Sequence, residues 1–218
     1  NPDGPVIGYN AYSQGELAAH YAIIPRNYFT GKGSTALSVN TATSKKFRGM
    51  SLFGQLAKIT YERAKKNGVE KVVGVANHNS INGFIKKLNF KFEGQVELRT
   101  ILIGQLRTLP LTYITEQQLI WRLKNPSAQY KKLKIGMERF AILRVTKFGY
   151  VCLGVVVEDI DIPFVNSNFP IIIYPIFSDP ATTPVGFKIP KWLMPSPWHV
   201  ISLKLDGNKV NNNVSILG

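Results

Sequence analysis

An apolar run at residues 36–41 leads into Ser44-Lys45-Lys46-Phe47-Arg48-Gly49, and an amphipathic segment begins at once after it. This order of strand, basic glycine turn and helix constrains the fold more than any other feature of the chain. The segment 51–67 places Leu52, Leu56, Ile59 and Ala64 along one helical face, Lys65 and Lys66 in the last turn, and Gly68 as a left-handed stop. A helix N-terminus presents unpaired backbone N–H groups at the positive end of its dipole, and these hold phosphate oxygens. Lys45, Lys46 and Arg48 add fixed positive charge next to them. The local physics is that of a diphosphate cradle and points to a nucleotide-like ligand.

With 218 residues the chain is long enough for one large or two small domains. Hydrophobic residues make up 44% and charged residues 18%, a globular composition. No apolar run approaches the length of a membrane span, and no signal-peptide pattern opens the chain. The single Cys152 cannot form an internal disulfide, and its apolar surroundings predict a buried, inert thiol. Together these place the protein in a reducing cytoplasm. The 27 basic and 13 acidic residues leave a net charge of +14, which favours a polyanionic partner. The basic residues come as scattered pairs (Lys45/Lys46, Lys65/Lys66, Lys86/Lys87, Lys131/Lys132) with no dense tail, so phosphate-bearing small molecules are favoured over nucleic acid.

Residues 6–12 and 17–24 read as two strands around a polar turn at Ser13-Gln14-Gly15, and 36–41 as a third. After the helix at 51–67 comes a short apolar strand at 71–76, a second helix at 80–88 with Ile81, Phe84, Ile85 and Leu88 on one stripe, and a strand at 92–102. A domain boundary is predicted within 106–111, giving domains at 1–108 and 109–218. The second carries a helix at 115–123 and strands at 140–145, 150–157, 171–177 and 199–205, separated by proline-rich loops. It reads as a small sheet packed with one helix.

The same order of elements resembles the GNAT acyltransferase superfamily. Arg48-Gly49-Met50-Ser51-Leu52-Phe53 stands where that superfamily has Gln/Arg-x-x-Gly-x-Gly/Ala. Arg48 matches, while Ser51 and Phe53 replace the two glycines. Backbone N–H contacts survive either change; Ser51 is expected to cap the helix with its hydroxyl, and Phe53 to narrow the groove. Gly74-Val75-Ala76-Asn77-His78-Asn79-Ser80, followed by Leu88-Asn89-Phe90, is similar to the segment that closes the coenzyme A tunnel in this superfamily. The patterns N-T-A-T-x-x-x-x-R-G, L-F-x-x-L-A, N-x-N-S-x-x-G-F-I-K-K-L and W-R-L-x-N-P further resemble N-acyltransferases of polysaccharide biosynthesis, which act on nucleotide-linked amino deoxy sugars. The implied fold class is α/β (α+β): a GNAT acyltransferase fold with a mixed central sheet and a small C-terminal α+β domain that helps bind the acceptor. A chain of this superfamily is expected to carry a strand and one or two helices ahead of the hairpin. Here the hairpin follows Asn1-Pro2-Asp3-Gly4 directly, which leaves open a missing leading segment or a reduced version.

The resemblance implies acyl transfer from acyl-CoA (acetyl-CoA or a short acyl-CoA) to a primary amine, with no metal. The third strand is expected to splay from the fifth and free backbone groups for the pantetheine arm. The implied cofactor-binding residues are Asn40, Thr41, Thr43, Arg48, Gly49, Met50, Ser51, Leu52, Phe53, Asn77 and Ser80. Amides at Asn40 to Thr43 would polarise the thioester carbonyl, and Asn77 and Asn79 would hold pantetheine amides, although turn chemistry also accounts for both. A tyrosine that often protonates the leaving thiolate falls at Ile85 here, so proximity and the oxyanion effect carry more of the rate. His20 is the candidate catalytic base; strand alternation points it opposite Tyr21, and a packed histidine is the competing reading. His78, Tyr21 and Asn79 are the candidate substrate-binding residues. His199 reads as structural, Tyr28 and Tyr130 as possible stacking partners or plain surface tyrosines, and Asp159/Asp161 as a turn. No Cys/His spacing fits zinc, and no Walker loop or G-x-S-x-G elbow occurs.

The sequence reading is therefore an N-acyltransferase on a nucleotide-linked amino sugar, with no nucleic-acid partner, acting as a monomer or small homo-oligomer. The alternatives are an acyltransferase on an amino acid, peptide or aminoglycoside, and a non-enzymatic basic nucleic-acid-binding module.

Overall fold

The computed structural model describes residues 1–26, 34–111, 115–157, 159–166, 170–177, 185–193 and 197–205. The chain divides into two compact units. Among the described residues, one comprises residues 3–93 together with 201–205, the other residues 94–200. The division thus falls between Glu93 and Gly94 and again at Val200/Ile201, not at the 108/109 boundary expected from the change in composition. The cause is non-local: the last strand returns to the first unit, a pairing that composition cannot register.

In the first unit β1 (Ile7–Ser13) and β2 (Glu16–Pro25) form a hairpin closed by Gln14 and Gly15, both at positive φ. Two such residues between Ser13 and Glu16 suit the tight primed turn that matches strand twist. β3 (Ser34–Thr43) pairs antiparallel with β2, and β4 (Val69–Ala76) pairs parallel with β3. The end of the final strand, β11 (Trp198–Lys204), lies beside β4: the Leu205 N–H bonds the Glu70 carbonyl, and Ile201 lies against Gly74. α1 (Leu52–Lys66) and α2 (His78–Leu88) cover one face of these strands. Leu56, Ala57, Ala64 and Phe84 from the helices meet Tyr21, Ile23, Ala36, Val72 and Ile201 in one core. Burying a leucine-sized side chain of this kind stabilises by about 1.5–3 kcal/mol. The helical periodicity of residues 51–67 and 80–88 is realised, with α2 beginning two residues early because Asn77 caps it.

The second unit takes in most of β5 (Lys91–Ile101), then α3 (Ile103–Leu106), α4 (Glu116–Leu123), β6 (Tyr130–Lys134), β7 (Phe140–Thr146), β8 (Gly149–Val156), β9 (Ile172–Phe177) and β10 (Phe187–Lys188). The order β5-β9-β8-β7-β6 is antiparallel except for the parallel pair β8–β9. β6 escaped the sequence reading because Y-K-K-L-K looks like a solvated basic pair. Lys132 is in fact buried, donating to Asp159 Oδ1 at 2.5 Å and the Ile160 carbonyl at 2.6 Å. Asp159, taken from the sequence as part of a turn, is its counter-ion. Cys152 is 1% exposed, and burial pushes its thiol up to about 11, as expected for an inert cysteine.

Two expected outcomes follow from the first unit. A Cβ on Gly74 would stand 3.3 Å from Ile201 and 3.4 Å from Ser38. Gly74→Ala should therefore lower unfolding free energy by about 1–3 kcal/mol in denaturant titrations, as core overpacking does. Ser202 donates to Glu93 Oε1 at 2.6 Å, and this hydrogen bond is the largest cause holding the Glu93 carboxyl below its ordinary range. A carboxyl depressed on folding adds stability above its unfolded pKa and loses it as pH falls through the folded value. Ser202→Ala should be less stable than wild type at neutral pH, and the difference should vanish on acidification, read by thermal melts across pH.

Candidate functional site

β3 and β4 pair from Ser34↔Val69 to Ser38↔Gly74 and no further, although β3 continues to Thr43 and β4 to Ala76. The strand that leaves β3 is thus its neighbour β4, the fourth strand of the chain rather than the expected fifth. On its other edge β3 stays with β2, but the register shifts: Tyr21 stands opposite two residues, Asn40 and Thr41, and Asn40 has φ 49°. This is a β-bulge, which takes one residue out of the ladder and bends the strand. Asn40, Thr41 and Thr43 therefore lie where β3 is released on one side and bulged on the other.

The chain then tightens into a 3-10 turn at Lys45–Phe47, anchored by buried Phe47. Lys46 Nζ is held by Glu16 at 2.9 Å, so Lys45 and Arg48 carry the unneutralised charge of this corner. Arg48 Nε donates to the Thr43 carbonyl at 3.4 Å, which ties the guanidinium to the end of β3. Gly49 (φ 91°) and Ser51 (φ 56°, ψ 14°) turn the chain into α1 through two left-handed residues with Met50 exposed between them. The first helical bond runs from the Gln55 N–H to the Ser51 carbonyl, so the amides of Leu52, Phe53 and Gly54 have no partner within the helix. The expected Ser51 cap does not form, because a left-handed Ser51 does not bring its hydroxyl to those amides. They stay open beside Lys45 and Arg48, as an anion site requires.

His20 lies on β2 directly across from Ala42 of β3. It is half-buried, and its Nδ1 meets Asn10 Oδ1 at 2.5 Å. Asn10 Nδ2 donates to the Tyr12 hydroxyl at 3.3 Å. A carbonyl oxygen only accepts, so His20 donates through Nδ1, and its neutral form carries the lone pair on Nε2. Asn10 thus selects a base-competent tautomer. The sequence reading missed Asn10. Tyr21, expected to contact substrate, is fully buried on the opposite face, with its hydroxyl bonded to Ser38 and Tyr61. It packs against α1 and presents no surface to an acceptor, unlike the expected substrate contact.

Two solved structures share this architecture. A GCN5-related N-acetyltransferase from Kribbella flavida aligns with TM-score 0.59 at 12% identity, over 91% of this chain and 60% of that one. A GCN5-related N-acetyltransferase from Anabaena variabilis aligns with TM-score 0.54 at 11% identity, over 92% of this chain and 63% of that one. The fold is that of the GCN5-related N-acetyltransferases. This chain spans about three-fifths of the length of either structure. No family model matches the sequence, and no curated protein does.

Within this acetyltransferase fold the remaining expected residues separate by how their atoms are used. Phe53 does not narrow a groove. Its ring turns inward against Tyr21 (5.9 Å between centroids) and Phe84 (5.3 Å), over Gly83. Asn77 and Ser80 form a capping box: Asn77 Oδ1 accepts from the Asn79 and Ser80 amides at 3.0 Å, and Ser80 Oγ accepts from the Asn77 amide at 3.1 Å. Those groups hold the start of α2, which leaves Asn77 Nδ2 as its remaining polar group. His78 and Asn79 are exposed in the first turn of α2. Ile85 packs half-buried on the α1/α2 core. In the second unit His199 meets Gln95 at 3.4 Å and Tyr130 is half-buried in β6. Tyr28 lies outside the described residues. Among the described residues, no helix is long and apolar enough to cross a membrane.

The left-handed conformation at position 51 gives an expected outcome. A non-glycine residue there is strained by about 1–2 kcal/mol, and glycine relieves this while losing about 0.5–1 kcal/mol to chain entropy. Ser51→Gly should be as stable as wild type or about 0.5 kcal/mol more so. Ser51→Pro cannot reach φ 56° and should lose both stability and anion binding, read by chemical denaturation and by calorimetric titration with ADP.

Proposed function

We propose that this chain is an acyl-CoA-dependent N-acyltransferase. The observation that carries the reading is the continuity of one path: the free edge of β3 beyond Ser38, the Arg48-Gly49 turn, and the open amides of Leu52, Phe53 and Gly54. Anion binding at α1 and a released strand edge suit the two halves of a single ligand, a diphosphate joined to an amide-bearing arm. Gly49, Met50 and Ser51 shape the turn, and Asn77 Nδ2 would meet the arm from the side of β4, while Ser80 holds Asn77 in place through the capping box.

The chemistry follows from the groups along that path. Main-chain amides between Asn40 and Thr43 polarise the thioester carbonyl and stabilise the oxyanion that forms on attack. His20 Nε2 takes a proton from the acceptor ammonium, and the neutral amine attacks the carbonyl carbon. The carbon–sulfur bond then breaks, and the thiolate takes its proton from solvent, since Ile85 has none to give. Asn10 orients His20 throughout. His78 and Asn79, exposed in the first turn of α2, would meet the acceptor.

For the acceptor we assign a nucleotide-linked amino deoxy sugar. This rests on the W-R-L-x-N-P and N-x-N-S-x-x-G-F-I-K-K-L patterns and on the basic surplus, which suits a second diphosphate-bearing ligand. A panel of nucleotide-linked amino sugars, amino acids and aminoglycosides, assayed for free thiol release from acetyl-CoA, decides between acceptor classes.

The donor reading is tested by titrating coenzyme A and a nonspecific DNA duplex at two salt concentrations. Saturable coenzyme A binding is expected. Duplex binding with a steep salt slope and no coenzyme A binding would establish a nucleic-acid module instead. Arg48→Ala should weaken coenzyme A binding by about tenfold or more, the loss of one charge-assisted hydrogen bond, with turnover at saturation near wild type. His20→Gln should lower turnover while leaving coenzyme A affinity intact. Asn10→Leu should reproduce part of that defect without touching the imidazole.

A further inference from the structure

A polar chain crosses the core of the first unit. The Tyr61 hydroxyl of α1 lies 2.5 Å from the Tyr21 hydroxyl of β2, and the Tyr21 hydroxyl lies 3.0 Å from Ser38 Oγ of β3. Tyr21 is fully buried, and burial raises both phenols above their ordinary range, so each keeps its proton. Core polar groups are not favoured for stability alone. Phenylalanine would fill the same volume without desolvating a hydroxyl, and replacing both partners of a buried hydrogen bond by apolar groups is nearly neutral. The chain of hydroxyls therefore calls for another role, and its end points suggest one. Ser38 is the last residue of β3 paired with β4. Tyr61 stands on the helix whose first amides form the anion corner.

We propose that Tyr61, Tyr21 and Ser38 are positioning residues that lock α1 to the point where β3 leaves β4, and so fix the distance between the anion corner and the released strand edge. The proposal rests on the donor-binding reading above. A ligand that touches only the corner does not sense this distance, whereas a ligand that spans corner and edge does. Side-chain networks of this kind specify one arrangement of packed elements rather than add bulk stability.

The test compares two ligands on the whole chain: ADP, which carries a diphosphate without the arm, and coenzyme A, which carries both. Tyr61→Phe keeps the Tyr21–Ser38 bond and the core volume, so it should fold. It should weaken coenzyme A by about tenfold, one hydrogen bond's worth of positioning, and leave ADP within about twofold. Ser38→Ala and the double variant Tyr21→Phe/Tyr61→Phe should give the same split. Unchanged coenzyme A affinity in folded Tyr61→Phe and Ser38→Ala overturns the inference, and so does an equal loss for both ligands, which would mark a purely structural role. A wild-type chain that binds neither ligand overturns the proposed function and this inference with it. Binding without the split overturns the inference alone.

Discussion

A strand that loses its neighbour keeps its hydrogen-bonding groups. Each unpaired N–H or C=O away from water costs about as much as a lost hydrogen bond, so such an edge must meet solvent or a ligand. β3 is in this position beyond Ser38, where its pairing with β4 stops. The rest of the first unit is arranged around that release. The bulge at Asn40 and Thr41 turns the opposite edge. The 3-10 turn and the left-handed pair Gly49 and Ser51 reverse the chain so that α1 begins where β3 ends. The core beneath binds both elements through Tyr21.

The electrostatics of the corner are more local than the net charge suggests. With Lys46 engaged by Glu16, the charge beside the α1 amides comes from Lys45 and Arg48, and Arg48 is itself tied to the Thr43 carbonyl. Exposed ion pairs contribute little to stability, but this one engages Lys46 elsewhere and leaves Lys45 and Arg48 as the charges at the strand end. The proposed anion would meet a small number of local donors rather than a diffuse basic surface. That arrangement suits one diphosphate better than a polyphosphate backbone, whose binding draws on many spread contacts.

Most of the elements were legible in the sequence because they follow local periodicity. The helices at 51–67 and 80–88 and the strands around 36–41 and 71–76 have the spacing that a buried face demands. What was not legible depended on register or on distant partners. Counting outward from the Gln14-Gly15 turn pairs Asn10 with Ala19, but a bulge between Ala11 and Tyr12 moves it to His20, and this one-residue shift creates the Asn10–His20 contact. Alternation shows that His20 and Tyr21 face opposite ways but not which face the helices cover, so it does not reveal that Tyr21 lies beneath α1. Asn77 and Ser80 carry a capping-box spacing that also fits ligand contact, and only the geometry separates their cap-forming atoms from Asn77 Nδ2. The return of the chain at Ile201, which moves the domain boundary, leaves no trace in local composition.

Phe53 shows how a large side chain in the first turn of a helix can be absorbed by the core. A residue at the helix start keeps its backbone N–H whatever its side chain, and a large side chain is accommodated there if it can turn inward. Here it does, and the space comes from α2: Gly83 lies under the Phe53 ring, with 3.4 Å between the ring and the place a Cβ would occupy. A glycine inside a helix weakens it by about 1 kcal/mol relative to alanine, a cost without return unless the missing side chain makes room. The large residue on α1 and the absent one on α2 form a volume exchange of the kind packed cores tolerate. The exchange also joins Tyr21, Phe53 and Phe84 in one aromatic cluster, so the helix that offers its amides outward is held by the side chain that replaced the motif's small residue.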